Sequence, residues 1–157
     1  MWAKFKPYII SIAIALAVGG LGTFLIRNNL YLYAIIDKPA FSPPAFLFPI
    51  VWTILYVLMG ISSARIWLQR DIHAYEAMDS LLSYALQLTL NFFWPIIFFN
   101  MRTFLFAFIW IVVLWASILK MVFKFSVLDK TAAYLNIPYV LWVTFAGYLN
   151  FMIYLLN

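Results

Sequence analysis

The stretch that decides the fold is Pro7-Tyr8-Ile9-Ile10-Ser11-Ile12-Ala13-Ile14-Ala15-Leu16-Ala17-Val18-Gly19-Gly20-Leu21-Gly22-Thr23-Phe24-Leu25-Ile26. It holds no charge and is about 20 residues long, the length a helix needs to cross a hydrocarbon core about 30 Å thick. Lys4 and Lys6 precede it and Arg27-Asn28-Asn29 follows. A cleavable signal has an apolar region of only about 7–15 residues and a small-residue cleavage site, so this segment reads as a span.

Four more apolar blocks follow it, at about Pro44–Leu68, Ala77–Phe99, Thr103–Met121 and Thr131–Leu156. Together they predict an all-α integral membrane protein, a bundle of five transmembrane helices at 7–26, 44–68, 77–99, 103–121 and 131–156 in a single domain over residues 1–157. Helices are expected because a single span in lipid must satisfy its backbone internally. The blocks do not alternate as the strands of a membrane barrel do. Composition agrees: hydrophobic residues are 68% of the chain and charged ones 10%. A soluble domain is about half apolar and a quarter charged, so a soluble globule is excluded, and disorder with it.

The longest connection, Arg27 to Pro43, carries Tyr31, Tyr33, Asp37, Lys38 and Pro39. A polar loop runs from Gln69 to Asp79, and a tight turn is expected at Asn100-Met101-Arg102. The last connection is placed at Phe123 to Lys130, with Asp129 as N-cap of the fifth helix. The net charge is +5, but the charges fall at block edges, so no nucleic-acid partner is expected. One side holds Lys4, Lys6, Arg65, Arg70, Lys120, Lys124 and Lys130, and the other Arg27, Lys38 and Arg102. In a bacterial cell membrane that bias predicts a cytoplasmic N-terminus.

The chemistry on offer is narrow. There is no Cys, and the one His, His73, lies in the polar loop among Asp71, Glu76 and Asp79, where a solvated surface is the expectation rather than a metal site. No Asp or Glu lies deep in a block, which counts against ion-coupled transport. No nucleophile–base pair or phosphate loop is present, so hydrolysis and ATP use are not expected.

The interior polar groups are Thr53, Tyr56, Tyr84, Gln87, Thr89, Asn91, Thr144, Tyr148 and Asn150. Gln87, Asn91 and Pro95 recur every four residues on one face of the third helix, which suits interhelical hydrogen bonding and ligand contact alike. Ser11, Ala15, Gly19 and Thr23 form a small-residue stripe expected to pack closely on another helix. Gly20 and Gly22 are expected to loosen the first helix near its outer end. Trp110 and Trp115 are expected to face lipid from the uniformly apolar fourth helix.

Depth narrows the search for a site. Counted from the outer ends of their helices, Trp52 lies about 12 Å down, Asn91 about 13 Å and Ala146 about 16 Å, with Trp142 and Gln87 about a turn deeper. Aromatic, amide and small groups therefore meet in one layer, which suits a flat aromatic ligand.

Three separated motifs then resemble one family. Lys38-Pro39-Ala40-Phe41-Ser42-Pro43-Pro44 with Pro49-Ile50-Val51-Trp52-Thr53-Ile54-Leu55-Tyr56 and Gly60 resembles the signature of the TspO, or tryptophan-rich sensory, proteins. These are homologous to the mitochondrial translocator protein, the peripheral benzodiazepine receptor. Leu90-Asn91-Phe92-Phe93-Trp94 with Phe98-Phe99, and Pro138-Tyr139-Val140-Leu141-Trp142-Val143-Thr144-Phe145-Ala146-Gly147-Tyr148-Leu149-Asn150, are similar to its third- and fifth-helix motifs.

The resemblance implies a five-helix bundle, often a homodimer. It also implies an intramembrane pocket beneath the first loop for porphyrins such as protoporphyrin or haem, and for isoquinoline and benzodiazepine ligands. Carried over by position, that pocket holds Tyr33, Pro43, Trp52, Asn91, Trp142 and Ala146, with Gln87 standing where some relatives have Asn. Porphyrin enters as ligand and no cofactor is required. Its propionates would need a cation at the mouth, and Lys38 is the candidate beside Arg27 and Arg102.

Two positions depart from the family. Leu32 stands where a Trp often precedes Tyr33, which leaves the loop's lid one aromatic short. No Lys or Arg follows Tyr148 or Tyr154, which counts against the sterol-recognition pattern of mitochondrial members. The functional expectation is a porphyrin-binding receptor or sensor. Light- and oxygen-dependent porphyrin breakdown, with Trp52 and Trp142 as oxidisable indoles, and porphyrin or sterol transport stand as alternatives.

Overall fold

The computed structural model describes residues 1–157, and its regular elements are all helical. Helix α1 spans Trp2–Ile26 and ends in a 3₁₀ turn at Arg27–Asn29. Then come α2 (Leu32–Ile35), α3 (Leu47–Trp67), α4 (Ala74–Pro95), α5 (Phe104–Leu128), α6 (Lys130–Tyr134) and α7 (Ile137–Leu156). A π-helical turn, Ile96–Asn100, extends α4. Five of these segments are long and apolar enough to cross a membrane: Trp2–Asn29, Leu47–Trp67, Ala74–Asn100, Phe104–Leu128 and Lys130–Leu156.

Prolines explain two irregularities that length alone does not reveal. Pro95 has no N–H to give the helix, and the chain after it widens so that Met101 N–H reaches Ile96 O at 3.0 Å. The turn then closes through Arg102 at a left-handed φ of 54°. The fifth span is interrupted at Leu135–Asn136, because Pro138 cannot continue the preceding turn. Asn136 fills the break: its Nδ2 donates to Ser62 Oγ at 2.6 Å and to Ala132 O at 3.0 Å. Asp129 caps α6 as expected, accepting from Ala132 N–H at 3.1 Å.

Several expectations are corrected. The connection placed at Phe123–Lys130 is mostly helix, because α5 runs on to Leu128. Its buried face, Ala107, Ile111, Leu114, Ile118, Met121 and Phe125, continues at helical spacing past the last apolar block. Trp110 and Trp115 are not simply lipid-facing. Trp110 Nε1 donates to Leu90 O at 2.7 Å and Trp115 Nε1 to Thr144 Oγ1 at 2.9 Å, tying α5 to α4 and α7. Gly20 and Gly22 do not loosen α1, which stays helical through both. Thr53, Thr89 and Thr144 are exposed and donate to the carbonyl one turn back, so they are not interior groups.

Helices α1 and α3 pack most closely. A side chain at Gly60 would collide with the backbone of Ile12, and one at Gly19 with the Tyr56 ring. The Ser11–Thr23 stripe is thus a packing seam, with Ala15 fully buried in it. At the cationic end, Arg65 grips Asp129 through two hydrogen bonds (2.8 and 3.2 Å) and Lys124 pairs with Asp79 at 2.8 Å. Helices α3 and α7 are not closely packed on one another, and side chains fill the interval between them.

Candidate functional site: the groove between α3 and α7

The site begins in the first loop. Tyr33 on α2 donates its hydroxyl to Pro43 O at 2.5 Å, closing the Pro-rich segment over the helix ends. Lys38 Nζ donates to Tyr33 O at 2.5 Å and Ile36 O at 3.2 Å, and lies 4.7 Å over the Tyr33 ring. Burial pushes the Tyr33 phenol above its ordinary pKa of 10.0, opposed by the neighbouring Ser42 hydroxyl. The loop is tied down on other sides too. Asn29 donates to Asn100, Arg102 to the Tyr31 hydroxyl, and Asp37 and Asn157 exchange two hydrogen bonds. Leu32, buried among Ile97, Phe98, Ala107 and Ile153, faces into the bundle, so the aromatic it replaces is not missing from the Tyr33 row.

From Tyr33 an aromatic row descends. Its ring meets Phe48 edge-on at 5.1 Å, Phe48 meets Trp142 at 5.8 Å, and Trp142 meets Phe145 at 5.8 Å. Beside this row a groove of about 380 Å³ lies between the two helices, lined by Val51, Ile54 and Leu55 on α3 and by Leu141, Trp142 and Phe145 on α7. Its walls are almost wholly apolar. Trp142 is one of the lining residues, and its Nε1–H is buried and has no hydrogen-bond partner. Most buried donors in folded proteins are paired, and an unpaired one costs about 1–3 kcal/mol.

The remaining expected site residues are joined to one another rather than to this row. Tyr56 donates to Asn91 Oδ1 at 2.8 Å, Asn91 Nδ2 donates to the Tyr139 hydroxyl at 2.7 Å, and Tyr139 donates to Gln87 Oε1 at 2.7 Å. Gln87 Nε2 is the one buried polar atom of this Tyr56–Asn91–Tyr139–Gln87 series without a partner. Trp52 packs on Tyr56 at 5.7 Å and Tyr139 at 6.3 Å. Ala146 is buried in the main core with Tyr139 and Val143. The structure therefore joins Tyr33, Pro43, Lys38 and Trp142 along the row, and Trp52, Asn91 and Gln87 through Tyr139. The indoles of Trp52 and Trp142 make no ring contact with each other.

Sequence reasoning missed Phe48 and Tyr139. Phe48 stands four residues before Trp52, a one-turn spacing that marks it as a neighbour on the same face. Tyr139 opens the Pro138–Asn150 motif and is the hub of the buried chain, with 1% exposure.

Sequence comparison decides the family. The TspO/MBR family pattern matches residues 11–156, nearly the whole chain. This protein belongs to the TspO/MBR family. It is 38% identical to the tryptophan-rich protein TspO of Chlorobaculum tepidum, over 93% of this chain and 92% of the relative. It is 35% identical to protein CrtK of Rhodobacter capsulatus, over 80% and 78% of the two chains. It is also 34% identical to the translocator protein of Ovis aries, over 85% and 79%. As a TspO/MBR chain with five membrane-spanning helices, it is an integral membrane protein.

Proposed function

We propose that this TspO/MBR protein is a membrane receptor or sensor that binds porphyrins, together with flat isoquinoline- and benzodiazepine-type ligands, in the α3–α7 groove. The observation that carries the proposal is the unpartnered Nε1–H of Trp142, a residue of this apolar wall. A flat ligand with one acceptor would cover the wall, stack on the row and supply that missing partner. Lys38, held at the Tyr33 end of the row, would exchange its loop carbonyls for a ligand carboxylate such as a propionate. The groove is small for a whole macrocycle, so part of the porphyrin plane would remain against lipid.

A second reading, breakdown of the bound porphyrin in light and oxygen, is favoured by the contact of Trp52 with Tyr56 and Tyr139, three oxidisable rings in series. One experiment addresses both. Protoporphyrin is titrated in the dark by absorption spectroscopy, then the saturated complex is illuminated in air. Trp142→Phe keeps a ring and deletes the N–H. It is expected to weaken dark binding about fivefold, the value of one hydrogen bond. Unchanged affinity in the folded variant removes Trp142 Nε1 from the site. Trp52→Phe is expected to bind normally but to slow pigment loss in light. Equal bleaching rates leave a binder alone.

A further inference from the structure

A larger cavity, of about 520 Å³, lies at the opposite end of the molecule, among α1, α3 and α4. Lys6 and Arg70 stand on its lining, Ile10 and Ile14 form an apolar wall, and Tyr84 reaches it from α4. Neither cation is fully committed. Arg65 and Lys124 at this end are committed to Asp129 and Asp79, whereas Lys6 makes no ion pair. Arg70 Nη1 donates to Trp67 O at 3.0 Å, its guanidinium lies 4.2 Å over the Trp67 ring, and its Nε is 3.9 Å from the exposed carboxylate of Asp71, too far for a hydrogen bond, which leaves its other N–H groups for a ligand.

Depth gives the cavity two ends. Lys6 is one turn into α1, Ile14 is about 18 Å along it, and Tyr84 is about 15 Å along α4 from the same end. The space thus runs from the headgroup level to the middle of a hydrocarbon core about 30 Å thick. Tyr84 lines it, 8% exposed, and its buried hydroxyl makes no hydrogen bond of good geometry, with the Ser63 hydroxyl as its polar neighbour. Ser63, on the same lining, directs its own hydrogen to Gly60 O at 3.1 Å. The Tyr84 ring stacks on Phe125 at 6.5 Å. Cations at the rim, an apolar wall and one orphan donor within form the complement of a phosphate ester with an acyl chain.

We propose that this cavity binds one anionic phospholipid, its phosphate held by Lys6 and Arg70, its chain along Ile10 and Ile14, and an ester carbonyl accepting from Tyr84. This site is separate from the α3–α7 groove and does not depend on it.

Native mass spectrometry of the purified full chain, with added phosphatidylglycerol, phosphatidylcholine or diacylglycerol, tests the proposal. Phosphatidylglycerol should be retained best and diacylglycerol least, and inorganic phosphate alone should not displace the lipid. Lys6→Gln with Arg70→Gln should lower phosphatidylglycerol retention about tenfold, the sum of two partly exposed ion pairs. Lys120→Gln with Lys130→Gln removes the same charge from the same end and should change nothing. Tyr84→Phe, which keeps the ring and hence the packing, should lower retention about fivefold and carries the test if the double variant fails to fold. Equal loss in both double variants would mean unspecific attraction, displacement by inorganic phosphate a free-anion site, and full retention by Tyr84→Phe an idle hydroxyl. Each of these overturns the proposal.

Discussion

At the residue scale, Asn91 shows how a single amide organises a membrane interior. It accepts from Tyr56 on α3 and donates to Tyr139 on α7, so it bridges two helices that meet only through side chains. Asn91→Leu would strand the Tyr56 phenol, at a cost of about 1–3 kcal/mol where water cannot replace the lost partner, and would take one donor from Tyr139, which keeps its bond to Gln87. Thermal unfolding should show that loss, and Asn91→Leu combined with Tyr139→Phe should lose less than the two single changes added, because the partner left behind is gone. The four-residue spacing of Gln87 and Asn91 made one polar face legible in the sequence, and the structure uses it for interhelical bonds. What spacing cannot give is the partner on another helix. With 7 Trp, 10 Tyr and 16 Phe, every helix offers rings, and which of them meet is settled by helix rotation and tilt. That is why Trp142 could be singled out in advance while its meeting with Phe48 could not.

At the scale of elements, two glycines make opposite predictions. Gly60 meets the α1 backbone at Ile12, so neither partner can yield to a methyl group. Gly60→Ala should therefore destabilise the bundle by about 1–3 kcal/mol or more. Gly20 on α1 has nothing within 4 Å of an added Cβ, and Gly20→Ala should be neutral or stabilising by up to about 1 kcal/mol. Denaturant unfolding of the two variants in one detergent checks both signs. The existence of all five spans was legible because span length is set by bilayer thickness. Their ends were less so. Helix α5 continues to Leu128 because Phe125 is buried against its neighbours, a tertiary cause that hydropathy does not register. The prolines at 95 and 138 were visible as breakers, but not the outcome, a π turn in one case and a full interruption filled by Asn136 in the other.

At the scale of the whole molecule, the two ends differ. One carries the cations and the ion pairs that clamp α3, α4, α5 and α6 together. The other carries a loop fastened to the far helix ends by Asn29, Tyr31 and Asp37. Between them, α3 and α7 leave the apolar groove. The central claim is that porphyrin occupies this groove, and protoporphyrin titration of a groove-filling variant is its most direct test. Leu141 lines the groove, yet is 65% exposed, so a larger side chain there disturbs little packing. Ile109 on α5, 52% exposed and not among the groove-lining residues, is the matched control. The account predicts that Leu141→Trp weakens protoporphyrin binding by about tenfold or more, as expected for a blocked stacking surface, while Ile109→Trp binds like the parent protein. A folded Leu141→Trp protein that binds protoporphyrin with the parent affinity would contradict it.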